Sequence, residues 1–251
     1  MTTFLTSSPT RELDREHPAP ALDERNDFIV RLRRVWPERG SCLMIAAFAG
    51  EHARNDEMTA FYRDAVENAG LPVSRFDLWD DRQDAGKMAS RIGEYDVIFL
   101  AGGHVPTQNR WFAQLGLRGV LARFDGVVVG TSAGSMNGAE TVYAWPEEPG
   151  ESMLPEEELF LPGLGLASTI VLPHYQKLKN SRLDGKRLME DITYPHSVGR
   201  RFLAIPDGSY VLARDGQEWV FGEAHLIEEG RMRCFCREGE QRELGPFPEE
   251  K

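Results

Sequence analysis

Short apolar runs alternate with stretches of helical periodicity through the first half of the chain. The runs are Cys42 to Phe48, Val73 to Leu78, Asp96 to Ala101 and Gly126 to Val129, and several are almost wholly apolar. A strand with one wet face alternates apolar with polar residues, whereas a strand covered on both faces does not. Thr2 to Ser7 is also β-prone and leads into a Pro- and charge-rich loop, Pro9 to Asp23. Helical spacing fills the gaps. Phe28, Ile29, Leu32 and Trp36 share a face over Asp23 to Trp36, which Pro37 ends. Met58, Phe61, Tyr62, Ala65 and Val66 do so over Asn55 to Ala69, which Gly70-Leu71-Pro72 stops. Two more helices are predicted, over Met88 to Tyr95 and Gln108 to Phe124. Strands alternating with helices predict an α/β fold with a mainly parallel sheet covered on both faces.

The second half is less regular. Thr169 to Leu172 and Phe202 to Ile205 are predicted strands, with a helix over Ser181 to Ile192 between them. Tyr210 to Ala213, Trp219 to Phe221 and Arg231 to Phe235 are expected as short antiparallel strands near the sheet edge. The acidic stretch Pro146 to Glu158 is expected as a surface loop, and Pro246 to Lys251 to fray. No internal repeat is visible, and residues 1–251 are read as one domain.

Composition narrows the class. A chain of 251 residues with 41% hydrophobic and 27% charged content can bury a sizeable core and stay soluble. Its 29 basic and 40 acidic residues leave a net charge of −11, which argues against nucleic acid or an anionic membrane as partner. No apolar stretch approaches the roughly 20 residues that span a bilayer. Met1 to Pro9 shows no export signal, so a cytoplasmic protein is expected. Cys42, Cys234 and Cys236 are too few for a disulfide framework and lack further ligands at metal spacing, so they are read as reduced structural thiols. No metal or organic cofactor is expected.

Candidate chemistry gathers where strands end, as is usual in parallel sheets. Four ends are unusual: Gly102-Gly103-His104, Gly130-Thr131-Ser132-Ala133-Gly134, Pro173-His174-Tyr175 and Pro206-Asp207-Gly208. Ser132 between glycines after a buried strand is the pattern of a nucleophile elbow, although the same five residues also suit a turn capping a helix. A serine hydroxyl needs a base, and His174 is the candidate. The imidazole in turn needs an acceptor, for which Asp207 is preferred over Glu147, Glu148 and Glu151 on the longer loop. Backbone N–H groups after Gly102 and at Ala133 could form an oxyanion hole. His104 could bind substrate. An esterase using Ser132, Asp207 and His225 in that chain order, or a non-catalytic binding protein, are the alternatives.

Taken in order, these motifs resemble peptidase family S51, which includes peptidase E and cyanophycinase. The resemblance runs from Thr2 to about Phe221 and rests on the Gly102-Gly103 loop, Gly130 to Ser135, and Leu172-Pro173-His174-Tyr175. It implies a flavodoxin-like three-layer sandwich similar to class I glutamine amidotransferases. It also implies Ser132 as nucleophile, His174 as general base, and Gly103 and Ala133 as oxyanion donors. Asp207 stands where the family places a glutamate, and His104 where it usually has Asn or Asp. The implied substrate is a dipeptide or short peptide. Selection for an N-terminal aspartate would call for a cation, with Arg182, Lys186 and Arg187 as candidates beside the site residues Gly102 and His104. A homodimer is plausible on the same likeness.

Overall fold

The computed structural model describes residues 1–245, so the expected fraying of Pro246 to Lys251 lies outside the described residues. Five strands form the parallel part of an eight-stranded sheet: β1 (Thr2–Thr6), β2 (Gly40–Ile45), β3 (Val73–Trp79), β4 (Val97–Leu100) and β5 (Val127–Thr131). Their order across the sheet is β1-β5-β4-β2-β3, every pair parallel. Strands Tyr210–Arg214, Gln217–Phe221 and Gln241–Leu244 extend it antiparallel beyond β1.

Alternation along the strands explains why the runs are apolar throughout. Cys42, Met44, Val97, Phe99, Val127 and Val129 face one core with Phe28 and Leu32 of α1 (Phe28–Val35) and with Tyr62, Ala65 and Val66 of α2 (His52–Asn68). Leu43, Ile45, Ile98, Leu100 and Val128 face the opposite core. There they meet Met88 of α3 (Ala85–Ser90), Phe112 of α4 (Val105–Gln114) and Leu117 and Leu121 of α5 (Leu117–Leu121). Helices on both faces make three layers. The one helix expected over Gln108 to Phe124 is two, because the chain turns at Gly116 with φ +59°.

Two further expectations need correction. Arg231 to Phe235 does not lie at the edge of the main sheet: it appears as Arg231–Cys236 in a separate four-stranded sheet, followed in order by Ala224–Glu228, Arg201–Ala204 and Ile170–Leu172, the last two being the strands predicted over Phe202 to Ile205 and Thr169 to Leu172. That sheet packs Val171, Leu203 and Leu226 against Leu5, Val211 and Val220 of the large one. The helix expected over Ser181 to Ile192 is instead a hairpin, Arg182–Leu183 with Lys186–Arg187, followed by a π-helical turn at Leu188–Thr193. Asp184 and Gly185 both have positive φ, +52° and +80°, which is the two-residue turn that suits a hairpin's twist. The three cysteines are free thiols, and burial pushes Cys42 up to about 12, so it is inert at neutral pH.

Candidate active site

β5 runs straight into Ser132 and then α6 (Ala133–Gly138). Ser132 has φ +49° and ψ −114°, a conformation that costs a non-glycine residue on the order of 1–3 kcal/mol and is found where the surroundings enforce it. The enforcing contacts are close. A Cβ on Gly134 would lie 2.3 Å from the Leu100 carbonyl oxygen, so α6 crosses the end of β4 only because that position is glycine. The Ser132 N–H donates to Thr6 and Ser7 carbonyls at 3.1 and 3.2 Å, tying the elbow to the end of β1.

His174 and Asp207 arrive together because Ile170–Leu172 and Arg201–Ala204 are adjacent parallel strands that end side by side. Ile205 N–H donates to Leu172 O at 2.9 Å and Tyr175 N–H to Ile205 O at 3.2 Å, which carries the pairing past both ends. His174 then turns with φ +57°. Its ring spans the gap: Nε2 lies 3.0 Å from Ser132 Oγ and Nδ1 lies 2.6 Å from Asp207 Oδ1. An ionised carboxylate can only accept, so Nδ1 carries the hydrogen and Nε2 presents its lone pair to the hydroxyl. Aspartate is a methylene shorter than glutamate, yet contact is complete, because the strand end itself comes close.

Burial would raise the Asp207 carboxyl, but hydrogen bonds from His174, Ser7 and the Lys177 ammonium outweigh it and hold the group well below the usual range. Gln176 Nε2 donates to Oδ2 at 2.6 Å and Lys177 Nζ lies 3.1 Å from the same oxygen. The side chain of His174 is 28% exposed and that of Asp207 only 13%, so the imidazole is reachable from solvent and the carboxylate is largely shielded. Ser7, which the sequence reading passed over, donates to Oδ1 at 2.7 Å. Its only signal was its place as the last residue of the β-prone segment Thr2 to Ser7; neither glycine nor histidine marked that end.

The Gly102-Gly103 loop leaves the end of β4 beside the elbow. Gly102 lies against Thr131 and Ser132, and a Cβ on Gly103 would come within 2.6 Å of Ala47 Cβ. Among the described residues, no protein acceptor takes the N–H of Gly103 or of Ala133. The family model for peptidase family S51 matches residues 41–219. The chain belongs to peptidase family S51. Among solved structures, it resembles a peptidase from an acI-B1 Actinobacterium with TM-score 0.65 and 17% identity, over 97% of this chain and 96% of that one. A peptidase E protein from Listeria monocytogenes EGD-e gives TM-score 0.51 and 16% identity, over 97% and 98%. At such identities these two likenesses speak for the fold. No curated protein matches.

Within this S51 peptidase the remaining candidates lie around the triad of side chains rather than in it. His104 Nε2 lies 2.8 Å from Glu151 Oε1, and Glu151 Oε2 accepts the N–H groups of Glu147 and Glu148 at 2.8 and 2.9 Å. Glu151 therefore ties the acidic loop to the glycine loop and partners His104, not His174. His225 lies 2.7 Å from Glu223 Oε1 and packs on the Tyr175 ring, while His174 occupies the place between Ser132 and Asp207. Arg182 donates to Gly185 O, Arg187 pairs at 2.6 Å with Asp191 of the π-helical turn that follows, and Lys186 donates to Ser152 O, so each of the three cations expected for substrate already has a protein partner. Two groups have ligand atoms close enough for a metal ion, His52 with Asp80 and Asp81, and His104 with Glu148 and Glu151. In the first, Arg82 and Asn55 hold Asp80; in the second, His104 and backbone N–H groups hold Glu151.

Proposed function

We propose that this S51 peptidase is serine-type and hydrolyses dipeptides or short peptides. The observation that carries the reading is the continuous contact from Ser132 Oγ through the two nitrogens of His174 to Asp207 Oδ1, at 3.0 and 2.6 Å. Ser132 Oγ attacks the scissile carbonyl carbon as His174 Nε2 takes its proton. The carbonyl oxygen becomes an oxyanion between the N–H groups of Gly103 and Ala133, a stabilisation of about 3 kcal/mol for each well-placed donor. His174 returns the proton to the leaving amine as the C–N bond breaks, leaving an acyl-enzyme. Water then attacks the ester, giving its proton to Nε2, and Ser132 recovers a proton as the acid leaves. Asp207 stays ionised, fixes the tautomer and stabilises the imidazolium. The cycle uses no cofactor. The acidic loop, held beside Gly103 by the His104–Glu151 contact, favours small substrates because it stands close to the oxyanion donors.

A digest of a peptide library with wild-type protein and Ser132→Ala, read by mass, tests this. Cleavage that disappears in the variant is expected. Identical products from both would remove Ser132 from the chemistry.

A further inference from the structure

β1 runs parallel to β5, so Ser7, the residue after β1, lies beside Ser132 at the same end of the sheet. The Ser7 carbonyl accepts the Ser132 N–H. The Ser7 residue is 0% exposed, and its hydroxyl is engaged in both senses. Oγ accepts the backbone N–H of His174 at 2.8 Å and donates to Asp207 Oδ1 at 2.7 Å. The direction is forced: an amide N–H can only donate and an ionised carboxylate can only accept. One buried hydroxyl thus touches the backbone of the general base and the carboxylate that orients it.

We propose that Ser7 is a positioning residue for the Ser132–His174–Asp207 system, an inference that rests on the serine-peptidase reading above. It acts on two degrees of freedom. The His174 backbone sits in the left-handed region, sparsely populated for non-glycine residues, and the Ser7 acceptor is one of the contacts that fix it there. The Asp207 carboxylate is pulled at Oδ2 by Gln176 and Lys177, and the Ser7 hydroxyl holds Oδ1 in line with His174 Nδ1. Removing the hydroxyl leaves a buried N–H without its partner and frees the carboxylate to turn toward Gln176 and Lys177. Both changes move the imidazole relative to Ser132 Oγ while leaving the substrate cleft as it was.

The test compares full-length wild type, Ser7→Ala and Ser7→Thr in peptide hydrolysis, in the rate of fluorophosphonate labelling, and in the low-field proton NMR signal of the His174 Nδ1–H. Ser7→Ala is expected to lower kcat and the labelling rate roughly 10- to 100-fold, with KM within about twofold of wild type, as a small misplacement of a reacting group does. The low-field signal shifts or broadens. Ser7→Thr keeps the hydroxyl and restores most of the rate and the signal. Should the added methyl prevent folding, as a melting curve reports, Ser7→Cys takes its place with an intermediate rate. A folded Ser7→Ala with wild-type kcat and an unmoved signal overturns the proposal. That outcome differs from failure of the peptidase reading, in which wild type itself is unlabelled at Ser132; the NMR comparison needs no substrate and still decides the role of Ser7.

Discussion

His174 has one nitrogen against a hydroxyl and the other against a carboxylate, and the difference between those neighbours leaves a free lone pair on the hydroxyl side only. Replacing Asp207 by Asn removes the charge that holds the Nδ1 hydrogen and steadies the imidazolium. The expected loss in kcat is about 10³- to 10⁴-fold, checked by steady-state hydrolysis with KM measured alongside. The same group links activity to acid stability. Its folded-state value lies below the ordinary 3.8, so in the acid range the unfolded chain binds more protons than the native one. The carboxylate's contribution is therefore complete above that ordinary value and lost as pH falls toward the folded one. Urea unfolding of wild type and Asp207→Asn should show a stability gap that is constant near neutrality and narrows below about pH 4. Ser132, His174 and Asp207 stood out in the sequence because Gly, Pro and His mark their strand ends. Ser7 did not, because its role depends on which strand lies beside β5, and that is a long-range fact.

At the scale of elements, the first half of the chain was legible because β2, β4 and β5 are covered on both faces and so leave apolar runs. The later segments are short and irregular. Leu188, Met189 and Ile192 mimic a helical stripe, and only the Asp184-Gly185 turn betrays the hairpin. Ala224–Glu228 was missed because its five residues show neither an apolar run nor clean alternation, and its partners are fixed by packing in the second sheet. The elbow makes a prediction at this level. In Gly134→Ala the new methyl meets the Leu100 and Ala101 carbonyl oxygens at 2.3 and 2.8 Å, and backbone cannot rotate aside as a flexible side chain can. A loss of about 1–3 kcal/mol in denaturant unfolding is expected, since α6 must lift off the end of β4. Labelling of Ser132 should slow in the same variant, because the elbow moves with the helix.

At the scale of the whole molecule, the site depends on two sheets packing so that their strand ends meet. β5 and β4 of the large sheet bring Ser132 and the Gly102-Gly103 loop; the neighbouring parallel strands of the smaller sheet bring His174 and Asp207. Leu5, Val211 and Val220 against Val171, Leu203 and Leu226 hold the two sheets in register. Among the described residues, no helix is long and apolar enough to cross a membrane. Sequence patterns identified the ends but assigned Arg231 to Phe235 to the wrong sheet, because periodicity reports the faces of a strand and not its neighbours. The most direct measurement of the meeting itself is intact-mass analysis after exposure to a fluorophosphonate, with peptide mapping of the adduct. One adduct per chain, on Ser132, is expected in wild type, with labelling slowed by about three orders of magnitude or more in His174→Ala. An unmodified folded wild type, or His174→Ala labelling at the wild-type rate, would contradict it.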